Sequence, residues 1–271
     1  MLKNKTLIFA IIPSGLPVPG QDLIISESEF DLEAAPPPGG FTTQNFYSSF
    51  DPYQRGKMRD PKIRHFTPAY PLGGPINNTG IAKILKSDTP RFRPGDIVRG
   101  YFNIELYSRV EREAVEAAKS TETAFEILDN PLGLPIILYL GALGMSGLAA
   151  YSSLYAIGKP KKGDTIFVSV ASGAVGQIVG QLAKREGLTV LGSVGSDEKL
   201  AFITKELGFD GGFNYKKEKP DEALARLAPQ GLNIYYDMAG GEQLDAALGH
   251  MCDFGRIGIF LLLSLTEFVF R

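Results

Sequence analysis

Cysteine is nearly absent from this 271-residue chain: Cys252 stands alone, tryptophan is missing and histidine occurs twice. A single thiol excludes a disulfide within the chain and points to a reducing compartment, read here as the cytoplasm. A four-cysteine structural zinc site is excluded as well, since His65, His250 and Cys252 are the only imidazole and thiol groups available. Charge of one sign is also lacking. With 28 Lys and Arg against 30 Asp and Glu, the formal net charge is -2 and no basic stripe forms, so nucleic acid is not an expected partner. Ile257 to Phe270 is too short an apolar run to span a bilayer and carries Glu267, so a membrane is not an expected partner either. Thr6 to Ile12, after Lys3-Asn4-Lys5, faintly imitates a secretion signal. The run is short, Pro13 breaks it and no small-residue cleavage site follows, which favours an N-terminal strand.

What is present is an ordinary globular composition, 44% hydrophobic and 21% charged, long enough for two domains. Residues 1–127 are rich in proline, glycine and short β-prone runs such as Leu7-Ile8-Phe9 and Asp96-Ile97-Val98. This part reads as mostly β, with Pro36-Pro37-Pro38-Gly39-Gly40 a loop before strand-like Phe41 to Tyr47. Residues 128–257 alternate strands with helical patterns, which predicts a parallel sheet with crossover helices. Thr165 to Val170 reads as a buried strand. Val175, Ile178, Val179 and Leu182 recur at helical spacing, Gly187 stops that helix, and Leu188 to Val194 makes a second strand. A helix over Glu198 to Leu207, a strand at Phe213, a helix near Pro220 to Leu227, a strand over Asn233 to Tyr236 and a helix over Glu242 to Met251 continue the series. The fold class is α/β, a doubly wound Rossmann sheet beside a β domain. On the last helix His250 and Cys252 are two apart, hence on different faces, and are taken as unrelated.

Between the first strand and its helix stands Ala171-Ser172-Gly173-Ala174-Val175-Gly176, the dinucleotide fingerprint with alanine in the first glycine place. Small residues are needed there because the backbone must turn tightly and let a pyrophosphate reach the N–H groups of a helix N-terminus. Small residues can also serve only close strand-to-helix packing, but a complete βαβ context favours dinucleotide binding. An NAD enzyme would place Asp or Glu at the end of the second strand. Here that strand ends in Val194-Gly195-Ser196, and Lys199 follows one turn later, able to meet a 2′-phosphate. NADP(H) is therefore the expected cofactor. Asp197 is the rival acid for NAD, although a carboxylate in a first helical turn also simply suits the dipole.

Gly141-Ala142-Leu143-Gly144-Met145, Val170 to Gly176, Gly195-Ser196-Asp197-Glu198-Lys199 and Phe213-Asn214-Tyr215-Lys216 together resemble the NADP-dependent alkenal double-bond reductases, the zinc-free branch of the medium-chain dehydrogenases/reductases that includes the prostaglandin and leukotriene reductases. The wording around Gly15 to Gly20 is most similar to filamentous-fungal members. The resemblance implies a GroES-like β domain combined with a Rossmann domain. It also implies hydride transfer to the C=C bond of an α,β-unsaturated aldehyde or ketone, or a related step of secondary metabolism, with a small-molecule substrate and no metal. By the same resemblance Ser172, Gly173, Ala174 and Val175 hold the pyrophosphate; Gly176, also among the cofactor positions, lies on the helix and with Gly180 lets it pack closely against the sheet. Gly195 borders the ribose, Lys199 and Tyr215 bind the 2′-phosphate, and Ser196 and Met145 lie among the cofactor positions. Asp51-Pro52-Tyr53 matches a motif whose tyrosine lines the substrate cleft.

Four departures stand out. Ser146 and Ala149 occupy a segment that usually carries proline and threonine; Thr79 replaces a tyrosine often found beside the substrate; Met238-Ala239-Gly240-Gly241 replaces Asn-Val-Gly-Gly. After Gly255-Arg256-Ile257 the family continues with a pocket tyrosine and further strands, whereas residues 258–271 form an atypical apolar tail, so a shortened copy is expected. Two further readings stay open. One is a cofactor-binding remnant without catalysis. The other is a short-chain dehydrogenase, prompted by the Tyr215 to Lys219 spacing, which follows the second strand too closely for that family. Family dimers pair through sheet edges near the tail, leaving a homodimer open.

Overall fold

In a computed structural model the chain forms two compact units, residues 1–140 and residues 141 onward; residues 1–65, 67–117 and 124–259 are described. The tail set apart above lies outside the described residues from position 260, and its first two residues end the last strand.

The first unit is a β structure. Strands β1 (Leu2–Phe9) and β2 (Leu23–Phe30) pair as an antiparallel hairpin. β1 begins at Leu2, upstream of Thr6, and stops at Phe9, short of Ile11 and Ile12, which are exposed before Pro13. Five further strands, β3 (Phe41–Ser48), β4 (Asn77–Ser87), β5 (Ile97–Asn103), β6 (Tyr107–Val110) and β7 (Glu126–Ile127), form a sheet in the order β6-β3-β4-β5-β7. Between β3 and β4 lies the short helix α1 (Tyr53–Lys57), and α2 (Arg112–Ala117) follows β6. β5 buries every second residue, the period of a strand with one covered face. Its Val98 and Phe102 meet Phe41, Phe92 and Phe125 in one aromatic core. Gly100 lies within that core because a Cβ there would sit 2.1 Å from the Phe125 ring.

The second unit carries a five-stranded sheet in which β8 (Thr165–Val168), β9 (Thr189–Val194), β10 (Gly211–Asn214), β11 (Leu232–Asp237) and β12 (Met251–Ile259) are all parallel, in the order β10-β9-β8-β11-β12. The order reverses between β8 and β11, the switch point at which such sheets bind ligands beyond their carboxyl ends. Alternate residues face opposite layers. Ile166, Val168, Val190, Ile234 and Tyr236 pack with α3 (Met145–Ser153) and α4 (Ala174–Arg185). Phe167, Leu191 and Tyr235 pack instead with α6 (Pro220–Leu227) and α7 (Glu242–Gly249). Phe167 stacks on Tyr235 with ring centroids 5.0 Å apart and on Phe213 at 5.8 Å. A fully buried ring of this kind contributes about 2–3 kcal/mol by burial alone.

Two expected elements change. The helix after β9 is split into α5 (Asp197–Ala201) and a wider turn over Phe202–Glu206. The last helix stops at Gly249, and β12 starts two residues later, so His250 caps α7 while Cys252 lies on a strand. Their partners differ: His250 meets Asp221 at 3.0 Å, and the Cys252 thiol donates to the Gln230 carbonyl.

Candidate functional site

The β8–α4 turn is built from small residues that have no room to be larger. Val170 adopts φ 52, a left-handed conformation that a β-branched residue rarely takes, and its carbonyl accepts the Gly173 N–H at 2.9 Å. A Cβ at Gly176 would lie 2.5 Å from the Val170 carbonyl oxygen and 2.9 Å from the Ala171 Cα, both backbone atoms. Ala171, in the place of the first fingerprint glycine, is tolerated because the facing residue on β9 is Gly192, where a Cβ would sit 2.6 Å from that of Ala171. Gly180 lets α4 approach Phe209, whose ring tip would be 2.1 Å from an added Cβ. Gly173 is the N-cap of α4, and no side chain caps the helix. Ala174, Val175 and Gly176 thus present the first-turn N–H groups that a helix leaves without internal partners. Ser172 sits beside them, half-buried. This cradle fits a pyrophosphate.

At the end of β9 the chain turns through Gly195 and Ser196, the latter capping α5 by accepting the Lys199 N–H at 3.3 Å. The Tyr215 hydroxyl lies over Gly195, 3.0 Å from where a Cβ would stand. Lys199 is exposed and forms no ion pair among the described residues. The rival acid Asp197 is engaged elsewhere. Asn214 donates to its Oδ1 at 2.9 Å and Lys217 pairs with its Oδ2; those two contacts hold the carboxyl below its usual range. Tyr215 and Lys219 flank a turn, with Lys219 the N-cap of α6, so they do not share a helical face as a short-chain dehydrogenase pair would. Met145 opens α3.

Asp237, unmarked by the sequence reading, ends β11 at the switch point and is fully buried. Its Oδ1 accepts from the Tyr235 hydroxyl at 2.7 Å, from the N–H groups of Ala239 and Gly240 at 2.9 and 2.8 Å, and from the Ser169 hydroxyl at 3.4 Å. Ser169 Oγ in turn accepts the Met238 N–H at 2.7 Å. The turns after β8 and β11 are thereby tied together. The Asp237 Oδ2 has no partner among the described residues. Met238 is buried, its methyl against Gly176, which is what the replacement of asparagine achieves here.

In the first unit Tyr53 opens α1, and its hydroxyl donates to Asn78 Oδ1. Asn78 is fully buried and donates to Asp51 Oδ2 at 2.7 Å and to the Ser49 carbonyl at 2.8 Å. Burial, with the nearby Asp51 carboxylate, pushes the Tyr53 phenol well above its usual range. Thr79 follows on β4, half-buried. Among the described residues no group of three or more His, Cys, Asp or Glu is placed to hold a metal, and no helix is long and apolar enough to cross a membrane.

A parallel sheet with this switch point and a small-residue turn at its first strand defines a dinucleotide-binding oxidoreductase unit. Two family models match, zinc-binding dehydrogenase over residues 174–266 and N-terminal domain of oxidoreductase over residues 5–118. NADP-dependent oxidoreductase RED1 of Cochliobolus heterostrophus is 48% identical over 97% of this chain and 73% of its own. The 2-alkenal reductase (NADP(+)-dependent) of Nicotiana tabacum is 39% identical over 97% of this chain and 74% of its own. CurA from Vibrio vulnificus, solved in complex with NADPH, superposes with a TM-score of 0.85 at 28% identity, covering 97% of this chain and 73% of that one. The chain belongs to the medium-chain dehydrogenase/reductase family of oxidoreductases.

Proposed function

We propose that this protein is an NADPH-dependent reductase of the C=C bond of α,β-unsaturated aldehydes or ketones. The observation that carries the cofactor choice is the end of β9. The carboxylate an NAD enzyme would use is held by Asn214 and Lys217, while Tyr215 stands over Gly195 and Lys199 follows on α5, its N–H on Ser196 Oγ. Ser172, Gly173, Ala174 and Val175 would hold the pyrophosphate, Gly195 would border the ribose, and Gly176, Ser196 and Met145 would lie along the cofactor. NADPH, when bound, supplies the hydride. Tyr53 is assigned to the wall of the substrate site, fixed there by Asn78. The domains are assigned as a GroES-like part over 1–127, an NADP-binding part over 128–257 and an apolar tail over 258–271. The cytoplasm is the proposed compartment, and a homodimer the proposed assembly.

NADPH oxidation by the purified chain with a trans-2-alkenal, beside an NADH control, tests this. Turnover confined to NADPH supports it; turnover with NADH alone refutes it. Cofactor binding with no turnover on any enal or enone would favour a binding remnant.

A further inference from the structure

Ser169, the first residue after β8, is fully buried in the second unit. Its N–H donates to the Tyr236 carbonyl at 3.1 Å and its Oγ accepts the Met238 N–H at 2.7 Å, so both bonds reach the end of β11. The hydroxyl proton faces the Tyr236 carbonyl at 3.3 Å and Asp237 Oδ1 at 3.4 Å, with the Tyr235 hydroxyl also in hydrogen-bonding contact. The next residue is Val170, with φ 52. On its far side the Ala171 N–H donates to the Ser193 carbonyl of β9 at 3.0 Å. The strained residue is thus pinned to the β11 turn through Ser169 and to β9 through Ala171.

We propose that Ser169 is a positioning residue for the cofactor pyrophosphate: bonded to the β11 turn, it keeps Val170 in its left-handed conformation and so aims the first N–H groups of α4. The inference rests on the cofactor reading above. A β-branched residue is disfavoured at positive φ and stays there only where its neighbours over-determine it. The Val170 carbonyl carries this geometry to α4. It accepts the Gly173 N–H at 2.9 Å, and Gly176 passes so close that a Cβ there would stand 2.5 Å from the same oxygen. Relaxation of Val170 would swing that carbonyl and move the N-cap residue Gly173, from which the Ala174 and Val175 N–H groups follow. Such groups act by direction, since a hydrogen bond weakens steeply as it leaves the line.

Asp237 keeps the partner of Ser169 in place. Its Oδ1 gathers the N–H groups of Ala239 and Gly240, and the turn continues through Gly240 at φ 71 and Gly241 at φ 56. The Met238 N–H just before them is left aimed at Ser169. The Met238 side chain lies against α4, its methyl 3.0 Å from where a Gly176 Cβ would be. One residue therefore touches both the strained turn and the first turn of the helix. Ser169 itself, being fully buried, acts through these neighbours and not by meeting the cofactor.

The test measures binding of two probes to the full chain by calorimetry: 2′-phospho-ADP-ribose, which carries the pyrophosphate, and 2′-AMP, which does not. Ser169→Ala should weaken the first by about tenfold, the scale of one misaligned bond to a charged group, and leave the second within about twofold. A general loosening of the unit would weaken both alike. Where Ser169→Ala does not fold, Ser169→Cys, with a similar volume and a weaker acceptor, should show the same pattern. Val170→Gly supplies a second measurement, because glycine takes positive φ without strain. In that background Ser169→Ala should cost less than about threefold for 2′-phospho-ADP-ribose. Neither probe reports turnover, so failure of the enone-reductase reading leaves the result standing. A wild type that binds neither probe overturns the cofactor site and this proposal together. With the wild type binding both, the proposal alone is overturned by an unchanged 2′-phospho-ADP-ribose affinity in the Ser169 variant, by an equal loss for both probes, or by a full loss that persists in the Val170→Gly background.

Discussion

The Asp197 carboxylate is held from two sides, by Lys217 at Oδ2 and by Asn214 at Oδ1. Asp197 opens α5 after β9, while Asn214 ends β10 and Lys217 lies on the connection to α6, so the acid that would read the ribose of NAD is turned into a tie between neighbouring strands. Lys199 forms no such ion pair among the described residues.

Cofactor preference should follow from that difference. Lys199→Ala should weaken NADPH binding by about tenfold, the scale of one charge-assisted contact, and leave NADH within twofold. Asp197→Asn should alter the preference by less than about threefold, because the exposed carboxylate is already committed to Asn214 and Lys217. Dissociation constants for both nucleotides, measured by the change in nicotinamide fluorescence, check this. A large gain in NADPH affinity in Asp197→Asn would show that the carboxylate is not committed.

The glycines of α4 should separate packing from binding. In Gly180→Ala the new methyl meets the Phe209 ring, which must move, at a cost of about 1–3 kcal/mol in urea unfolding. In Gly176→Ala the obstruction is backbone of the turn itself, so NADPH affinity should fall together with stability. Equal affinity for NADPH in Gly176→Ala and wild type would argue against the cradle.

Asp237→Ala should destabilise the chain by about 3 kcal/mol, since it leaves buried donors at Tyr235, Ala239 and Gly240 without an acceptor. Urea unfolding monitored by circular dichroism gives the number, and a loss under 1 kcal/mol would mean the donors find other partners.

Alkaline stability supplies an independent check of the second unit. The Tyr155 hydroxyl donates to Glu186 at 2.7 Å, and that bond first, burial second, pushes its phenol up to about 12. A pKa raised by folding contributes stability that is fully present below the unfolded value, about 10 for tyrosine, and is lost as pH rises through the folded one. Tyr155→Phe should therefore remove part of the stability loss between about pH 10 and 12. Identical slopes for variant and wild type would contradict the bond.

Much of the second unit was legible because its signals are local. Val175, Ile178, Val179 and Leu182 mark one face of α4, and the fingerprint sits between a strand and that helix. The series failed at β12, where the helix expected over Glu242 to Met251, with Cys252 counted on it, gives way to a strand from Met251. Phe254 does take φ 59, and the pairing with β11 skips from Leu232–Met251 to Ile234–Arg256 before running in register. α3 was missed because Gly147 and its small neighbours carry little amphipathic pattern; a Cβ at Gly147 would lie 1.8 Å from the Ala142 carbonyl oxygen. The candidate site was legible where the fingerprint lies and hidden where partners are distant. Tyr53 and Asn78 are 25 positions apart, and Asp237 joins Ser169 across 68. Neither pairing follows from spacing; both come from strand order.

The most direct measurement is product analysis after incubation of a trans-2-alkenal with NADPH deuterated at the transferable C4 position. Double-bond reduction predicts the saturated aldehyde with deuterium at C3, the carbon β to the carbonyl. An allylic alcohol with deuterium at C1 would show carbonyl reduction and contradict the account.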